Sequence, residues 1–222
     1  SGGNGTCVAE GNGVVEADEV PLRPGLTSLF RVANDVPVDT AGSMTEQGRR
    51  WDYSGDYEGD ETQVLELEPM QGQWFAADFP EADYAMKLAG NREELGVFKK
   101  TDDALLMLGV VSPEDDGFGE TNLEYDPPVK VLDFPLEEGK SWITETTVSG
   151  THETWSPVTP ITYEETYRNQ VDASGSLQVP YGDFDVLRVR TVLERQVGFT
   201  SDTVRTFAFV AECFGTVTTI RS

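Results

Sequence analysis

The sequence predicts an all-β protein built on an antiparallel sheet, and three observations lead to this prediction. Many short segments alternate apolar and polar residues, a period of two that is typical of strands with one sheltered face. Turn-forming Gly, Pro, Asn and Asp residues separate consecutive segments, as in strands joined by hairpins. Only residues 81–89, which follow Pro80, carry alanines and a methionine at helical spacing, so we expect at most one short helix.

The first half of the chain starts with residues 1–26, which are expected to form a flexible N-terminal arm because they are rich in Gly, Glu and Pro. Residues 27–222 are predicted to form a single β-rich domain. Residues 104–108 lack polar alternation, which favours a central strand covered on both faces. The strands predicted in this half are 27–33, 49–54, 61–68, 73–77, 95–99 and 103–111.

The second half opens with an acidic stretch, residues 112–126, that is predicted to be a loop. Pro127, Pro128 and the turn at Gly139 make residues 127–139 the alternative position for an internal domain boundary. The strands predicted after this point are 129–134, 142–149, 161–171, 177–179, 183–195, 203–211 and 214–221.

Residues 161–195 are the most informative stretch of the second half. At the start of this stretch, one face of an extended chain is polar throughout, whereas the opposite face is expected to be sheltered. Turn chemistry at residues 172–175 is predicted to end this strand, and a second turn is predicted around Pro180. The following strand places Arg188 and Arg190 on its polar face. The sheltered face of the first strand consists of Tyr163, Glu165, Tyr167, Asn169 and Val171.

A pattern in this stretch resembles a known family. The sequence V-P-x-G-x-F-x-x-x-R-V resembles the signature of a broad group of exported bacterial β-proteins and lipoproteins of unknown function. Residues 134–142 and 215–217 resemble flanking motifs of the same group. Tyr181 departs from the pattern, since the family often has alanine before the glycine. The residues that carry the pattern are Val179, Pro180, Gly182, Phe184, Arg188 and Val189.

The resemblance covers residues 134–220, under half of the chain. It implies a curved antiparallel sheet or a partial barrel, similar to that of the LolA-type lipoprotein carriers. It implies no catalytic residues.

The charge of the chain limits its partners. The 16 basic and 40 acidic side chains give a net charge of −24. Binding to nucleic-acid phosphates needs clustered Lys and Arg, so no nucleic-acid partner is expected. An anionic membrane surface would repel the chain, so we expect membrane contact only through a lipid tether. The acidity favours solubility, with a cationic ligand or metal as the alternative.

The N-terminus and the two cysteines indicate an exported protein. The chain starts with small Ser, Gly and Asn residues, as a mature lipoprotein does after a lipidated cysteine, which would lie upstream of residue 1. The alternative is a cloning scar followed by a natural N-terminus. Cys7 and Cys213 are predicted to form a disulfide in an oxidising periplasmic or cell-surface location, and the alternative is two buried thiols.

Few residues suggest catalysis. His152 is the only histidine and is expected to lie on the surface, so a Ser-His-Asp or Cys-His site is not predicted. No phosphate loop or dinucleotide fingerprint occurs, and no cofactor is expected. A glycosidase-like carboxylate pair is an alternative, but with 40 acidic residues the pattern is not specific.

Two acidic turns are weak candidates for calcium, because hard cations prefer oxygen ligands on flexible loops. Neither turn has the spacing of an EF-hand, and solvated acidic turns are the alternative. The calcium candidates are Asp56, Asp60, Asp115 and Asp116.

The function predicted from these observations is that of a non-enzymatic exported or cell-surface lipoprotein domain, a structural or interaction module for an unknown protein. The alternative is a carrier of lipid or another small apolar ligand, held in a half-barrel lined by aromatic rings. An enzyme is the third and least favoured class. The rings considered for such a cavity include Trp51, Trp74, Trp142 and Trp155, although core packing explains them more simply.

Overall fold

A computed structural model describes residues 7–88, 93–115, 120–152 and 160–222. The all-β prediction is confirmed: within these residues the curved sheets are antiparallel, apart from one short parallel pairing, and do not close. The strands are β1 (Val14–Val15), β2 (Thr27–Val32), β3 (Ser43–Thr45), β4 (Gly48–Asp52), β5 (Glu61–Glu66), β6 (Glu68–Pro69), β7 (Tyr84–Lys87), β8 (Leu95–Lys100), β9 (Ala104–Val111), β10 (Asn122–Asp133), β11 (Leu136–Glu137), β12 (Ser141–Thr151), β13 (Ile161–Val179), β14 (Gly182–Val197), β15 (Thr200–Ala211) and β16 (Gly215–Arg221).

One large sheet dominates the fold. Its strand order is β16-β15-β14-β13-β12-β10-β9-β8-β7-β6, so most neighbours in space are also neighbours in sequence. The β3–β4 hairpin joins this sheet through a parallel pairing of β4 with β13. Strands β2 and β5 form a separate antiparallel pair, and β1 pairs with β11.

The predicted alternation in residues 163–171 is confirmed. The residues of the sheltered face are buried or half-buried, whereas Glu164 and Arg168 on the other face are exposed. Strand β12 alternates in the same way, because it pairs with β13 along ten positions. Its buried residues are Trp142, Thr144, Thr146 and Val148.

The helix predicted at residues 81–89 is wrong. Residues 84–87 form strand β7, which pairs with β8. Tyr84 and Ala85 are adjacent, and both are fully buried. Burial of two consecutive residues is typical of a strand that is covered on both faces. Tertiary pairing therefore overrides local helix propensity here. The strand predicted at 73–77 is also wrong, since Trp74–Ala77 is a 3-10 helix that buries Phe75.

The turn predicted at residues 172–175 does not form. Strand β13 continues to Val179, with a bulge between Val171 and Ala173 that absorbs one residue. Gly175 allows the backbone of β4 to approach β13 closely, because a Cβ at this position would lie 2.2 Å from the carbonyl oxygen of Arg49 on β4. The turn predicted at Pro180 is present, and Val179 pairs with Gly182 across it.

The acidic loop predicted at residues 112–126 is shorter than expected. Strand β10 already begins at Asn122 and buries Leu123 and Tyr125. This strand pairs with β9 on one side and β12 on the other, so it joins the residues on both sides of the 127–139 stretch in one sheet.

Part of the predicted N-terminal arm packs against the domain. Val15 pairs with Leu136, and Val15 and Val20 are buried in the main core. A 3-10 helix, Ala17–Glu19, connects them, and a capping box stabilises its N-terminus. The predicted disulfide between Cys7 and Cys213 is confirmed, with a Cα–Cα distance of 5.5 Å.

A second core lies on the opposite side of the β13–β14 hairpin, where the β3–β4 hairpin covers the sheet. Its centre is Trp51, which contacts Phe209 edge to face with ring centroids 5.0 Å apart. The long hairpin thus contributes to both cores. In the portion of the chain that the structure describes, none of the helices has the length and apolar character needed to cross a membrane.

Candidate functional site

The arginine of the V-P-x-G-x-F-x-x-x-R-V pattern is held on all sides. The guanidinium carbon of Arg188 lies 5.3 Å from the Trp51 ring centroid and 4.9 Å from that of Phe207, a cation–π sandwich. Its Nε and Nη2 donate to the two carboxylate oxygens of Asp172 at 2.8 and 3.1 Å, and Nη1 donates to the carbonyl oxygen of Thr40. With a side chain only 10% exposed, Arg188 is a fixed structural group.

The backbone explains this arrangement. The bulge before Ala173 shifts the register of β13 and brings Arg188 opposite Ala173 on the neighbouring strand. The parallel pairing of β4 with β13 places Trp51 opposite Leu177, so its ring reaches the same end of the sheet. The Nε1 of Trp51 donates to the carbonyl oxygen of Thr40 at 3.1 Å, which fixes the loop before β3.

An open cleft of about 280 Å³ lies at the rim of the second core, beside Arg188. We call it the arginine cleft, and it is lined by Thr40, Ala41, Asp172, Arg188, Arg190, Arg205 and Phe207. Three arginines and one aspartate give this lining a net positive charge, although the whole chain carries −24. Such a local reversal of sign is a feature of anion-binding surfaces.

Two of the three arginines have hydrogen-bonding capacity left. Arg190 is 43% exposed; its Nη2 donates to Gln170 Oε1 at 3.1 Å, and its Nε lies 3.8 Å from Asp172 Oδ2. Arg205 is exposed, and among the described residues no carboxylate lies within ion-pair distance of its guanidinium group. The cleft therefore presents unused guanidinium N–H groups to solvent.

A different charged group is buried on the other side of the sheet. The Glu165 side chain is 0% exposed; its Oε1 accepts from Arg195 Nε at 2.5 Å and its Oε2 from the Tyr167 hydroxyl at 2.5 Å. The Arg195 guanidinium also lies over the Tyr163 ring at 5.6 Å. Both carboxylate oxygens of the buried Glu165 are thus paired, whereas the Arg195 side chain is 35% exposed and reaches the surface.

The pKa values in this network follow from its geometry. Burial alone lowers the pKa of Arg195, but the adjacent Glu165 carboxylate outweighs burial and raises it. The pKa of Tyr167 is raised well above its usual value, first by burial and then by the neighbouring Tyr125 and Glu165. The structure therefore holds an ionised arginine beside neutral tyrosines.

The calcium candidates do not form a cation site in the described residues. Arg31 occupies the space between Asp56 and Asp60: its guanidinium is 3.1 Å from Asp56 Oδ1 and also pairs with Asp60. Asp115 is exposed, and Asp116 lies outside the described residues. Across the described ranges, no group of three or more His, Cys, Asp or Glu side chains is placed to hold a metal ion.

Calcium is therefore expected to leave the thermal stability of the protein unchanged apart from general screening. The measurement is a melting curve at increasing calcium, with sodium chloride at equal ionic strength as the control. A saturable rise in melting temperature that is specific to calcium, and lost in Asp56→Asn, would contradict this expectation.

The other residues of the family-like pattern lie outside the lining of the cleft. Val179, Pro180 and Gly182 form the tip of the β13–β14 hairpin. Phe184 contacts Phe214 edge to face, with ring centroids 5.0 Å apart. Only Arg188 of the pattern reaches the cleft.

His152 is less exposed than predicted. Its side chain is 14% exposed, with Nε2 3.5 Å from Glu94 Oε1. It does not contribute to the lining of the arginine cleft.

Sequence reasoning placed Arg188 and Arg190 on one polar face but missed the cleft. Asp172 was assigned to a turn, and Thr40 and Arg205 lie more than 100 residues apart. One available signal was the alternation of Arg205 with Phe207, since an arginine beside an aromatic residue on one strand face suggests a binding surface. Comparison of the chain with protein-family models, with curated proteins and with solved structures found no match.

Proposed function

We propose that this chain is a non-enzymatic interaction module of an exported or cell-surface protein, and that it binds an anionic partner through the arginine cleft. The observation that carries this proposal is the excess of arginine over carboxylate in the cleft, on a chain whose net charge is −24. Placing positive charge at one position of an acidic surface favours contact with a negatively charged group there.

The chemistry of the cleft supports binding rather than catalysis. General acid–base catalysis needs a group that exchanges a proton near neutral pH, and the lining contains no His, Cys or Lys. Its single carboxylate, Asp172, accepts hydrogen bonds from both Nε and Nη2 of Arg188. Arginine remains charged at every physiological pH, so the cleft provides permanent positive charge.

We also propose that the protein is exported. A disulfide between Cys7 and Cys213 is stable in oxidising compartments and rare in reducing ones. The resemblance to exported lipoproteins and the acidic composition agree with a periplasmic or cell-surface location. A lipid anchor upstream of residue 1 would tether the module to a membrane that its charge otherwise avoids.

The packing favours an interaction module over the carrier alternative. Trp51 and Trp142, two of the rings considered for a ligand cavity, are buried in the two cores. The second described cleft, of about 190 Å³, is lined by polar and charged residues, including Glu164, Glu194 and Arg195. Apolar ligands need enclosed apolar walls, and neither described cleft offers them.

A charge-reversal comparison tests the interaction. Native mass spectrometry of protein isolated from its host at low ionic strength is expected to show a complex that dissociates in about 0.5 M salt, because exposed charges are then screened. The variant R190E/R205E should lose this complex. The control R23E/K87E has the same net charge but alters exposed residues outside the cleft, and it should keep the complex. Equal binding by both variants would contradict a role for the cleft.

The same sample tests the carrier alternative. We expect no retained lipid and no saturable binding of the apolar dye N-phenyl-1-naphthylamine, since the described clefts are polar. A stoichiometric lipid adduct together with saturable dye binding would replace the interaction module by a carrier.

A further inference from the structure

We infer that the arginine cleft holds one tetrahedral oxyanion, a sulfate or phosphate group carried by the partner, with Arg190 and Arg205 as its ligands. This inference rests on the proposed function and names the chemical group that the site recognises. Arg188 acts as a fixed wall of the site and not as a ligand.

The sheet register brings the two ligand arginines together. Arg190 on β14 pairs with Phe207 on β15, and Arg205 pairs with Val192, so the two arginines are diagonal neighbours on one face of the sheet. Diagonal neighbours lie about 7–8 Å apart, a distance that long side chains bridge. Two guanidinium groups from adjacent strands therefore reach a single anion.

The charge of Arg188 is already compensated. Asp172 pairs with it through two hydrogen bonds, and the Thr40 carbonyl accepts a third. Arg190 has a neutral hydrogen-bond acceptor, Gln170, and a more distant contact of 3.8 Å to Asp172. The positive charge that remains for a ligand therefore lies on Arg190 and Arg205.

The number of available guanidinium groups and the volume of the cleft favour a tetrahedral anion. A planar carboxylate is satisfied by one guanidinium fork, as Asp172 is by Arg188. The oxygens of sulfate or phosphate point in four directions, so they accept hydrogen bonds from two forks that approach from different strands. The cleft volume of about 280 Å³ lies just below the usual range for whole small-molecule ligands, and it fits a charged group better than a complete drug-sized molecule.

The acidity of the rest of the chain does not prevent such binding. At an ionic strength of 0.15 M the screening length is about 8 Å, so carboxylates outside the cleft act weakly on an anion bound inside it. Direct contacts with Arg190 and Arg205 are screened much less.

The test is a nuclear magnetic resonance titration of the folded protein with sodium sulfate, sodium phosphate and sodium acetate, each at constant ionic strength. Sulfate or phosphate is expected to give saturable shifts at the Arg190 and Arg205 side chains. The variants Arg190→Gln and Arg205→Gln should each weaken binding at least about tenfold, as expected for loss of a charge-assisted hydrogen bond. Arg168→Gln is the control, because Arg168 lies on the same sheet face but pairs with Glu194 outside the cleft, and it should bind as the wild type does.

Comparison of the three anions at pH 6 and pH 8 identifies the group that the cleft binds. Stronger binding of sulfate at pH 6 and 8 alike identifies a sulfate group. Phosphate binding that strengthens from pH 6 to pH 8 identifies the phosphate dianion, because inorganic phosphate gains its second negative charge across this range. Acetate binding as tight as sulfate, linear shifts without saturation, or equal binding by R190Q/R205Q would each overturn the inference. Loss of the oxyanion with the host complex retained would leave the proposed function standing, whereas loss of the complex in both charge-reversal variants would count against that function alone.

Discussion

Replacing both Cys7 and Cys213 by serine is expected to lower the free energy of unfolding by about 5 kcal/mol. The cysteines are 206 residues apart in sequence, so the disulfide closes almost the whole chain into one loop. The loss of loop-closure entropy in the unfolded state grows with the logarithm of loop length and gives about 5 kcal/mol for a loop of this size. This figure is an upper value, because unfolded chains are more compact than the random chain assumed.

Urea denaturation of the oxidised wild type and of the C7S/C213S variant measures this difference. Reduced wild type is the matched control and should unfold at the same urea concentration as the variant. Thiol titration of denatured, unreduced protein should find no free thiol. Two free thiols per chain would contradict the disulfide and remove its support for an oxidising compartment.

The structural loss in this variant should concentrate at the N-terminus. The backbone N–H of Cys213 donates to the Glu19 carbonyl at 2.8 Å, and Glu212 accepts from the Gly11 N–H at 2.9 Å. Residues 8–13 depend on the disulfide and on these bonds for their position against the last hairpin, whereas Val15 and Val20 are also held by the main core. Limited proteolysis should therefore cut the variant in residues 8–13 before it cuts any strand of the large sheet.

The second large effect is expected at the buried carboxylate. Glu165→Gln should lower the free energy of unfolding by about 2 kcal/mol, because the buried carboxylate then loses its charge-assisted hydrogen bond with the partly exposed Arg195. The Tyr167 hydroxyl, which donates to Glu165, would also lose a charged acceptor.

Strand β14 offers a matched control for this prediction. Glu194 is adjacent to Arg195 but lies on the opposite face, where it is 50% exposed and 3.7 Å from Arg168. Exposed ion pairs contribute little, so Glu194→Gln should change stability by less than about 1 kcal/mol. Thermal and urea unfolding of both variants make the comparison. Equal stability losses in the two would show that the buried network contributes no more than a surface ion pair.

The regions of the fold that sequence predicted correctly are those fixed by alternation. Tyr163 to Val171 alternate with polar residues, and neighbouring strands on both sides bury one face of that pattern. Burial of alternate residues is a local property, so it can be seen in the sequence without knowledge of the partner strands. The disulfide was predictable for another reason: with two cysteines only one intramolecular pairing exists.

The features that sequence missed depend on contacts between distant segments. Tyr84 and Ala85 form a strand because β8 pairs with them, and Gly175 is a point of close approach because β4 runs beside β13 there. Local composition favours a helix at the first position and a turn at the second. The arginine cleft was missed for the same reason, since its lining comes from the loop before β3 and from strands β13, β14 and β15.

The position of Val20 has a consequence for the order of folding. Val20 belongs to the main core together with Val210 on β15, and a Cβ on Gly215 would lie 3.3 Å from it. The hairpins from β12 to β16 join segments that are close in sequence, so they require only short loop closures. The core that Val20 and Val210 share instead joins segments that are far apart in sequence. Non-local pairings of this kind place β-rich proteins among the slower two-state folders, with times of milliseconds to seconds. A nascent chain that lacks β15 and β16 therefore cannot complete this core, and the final packing step takes place only after β15 and β16 have been synthesised.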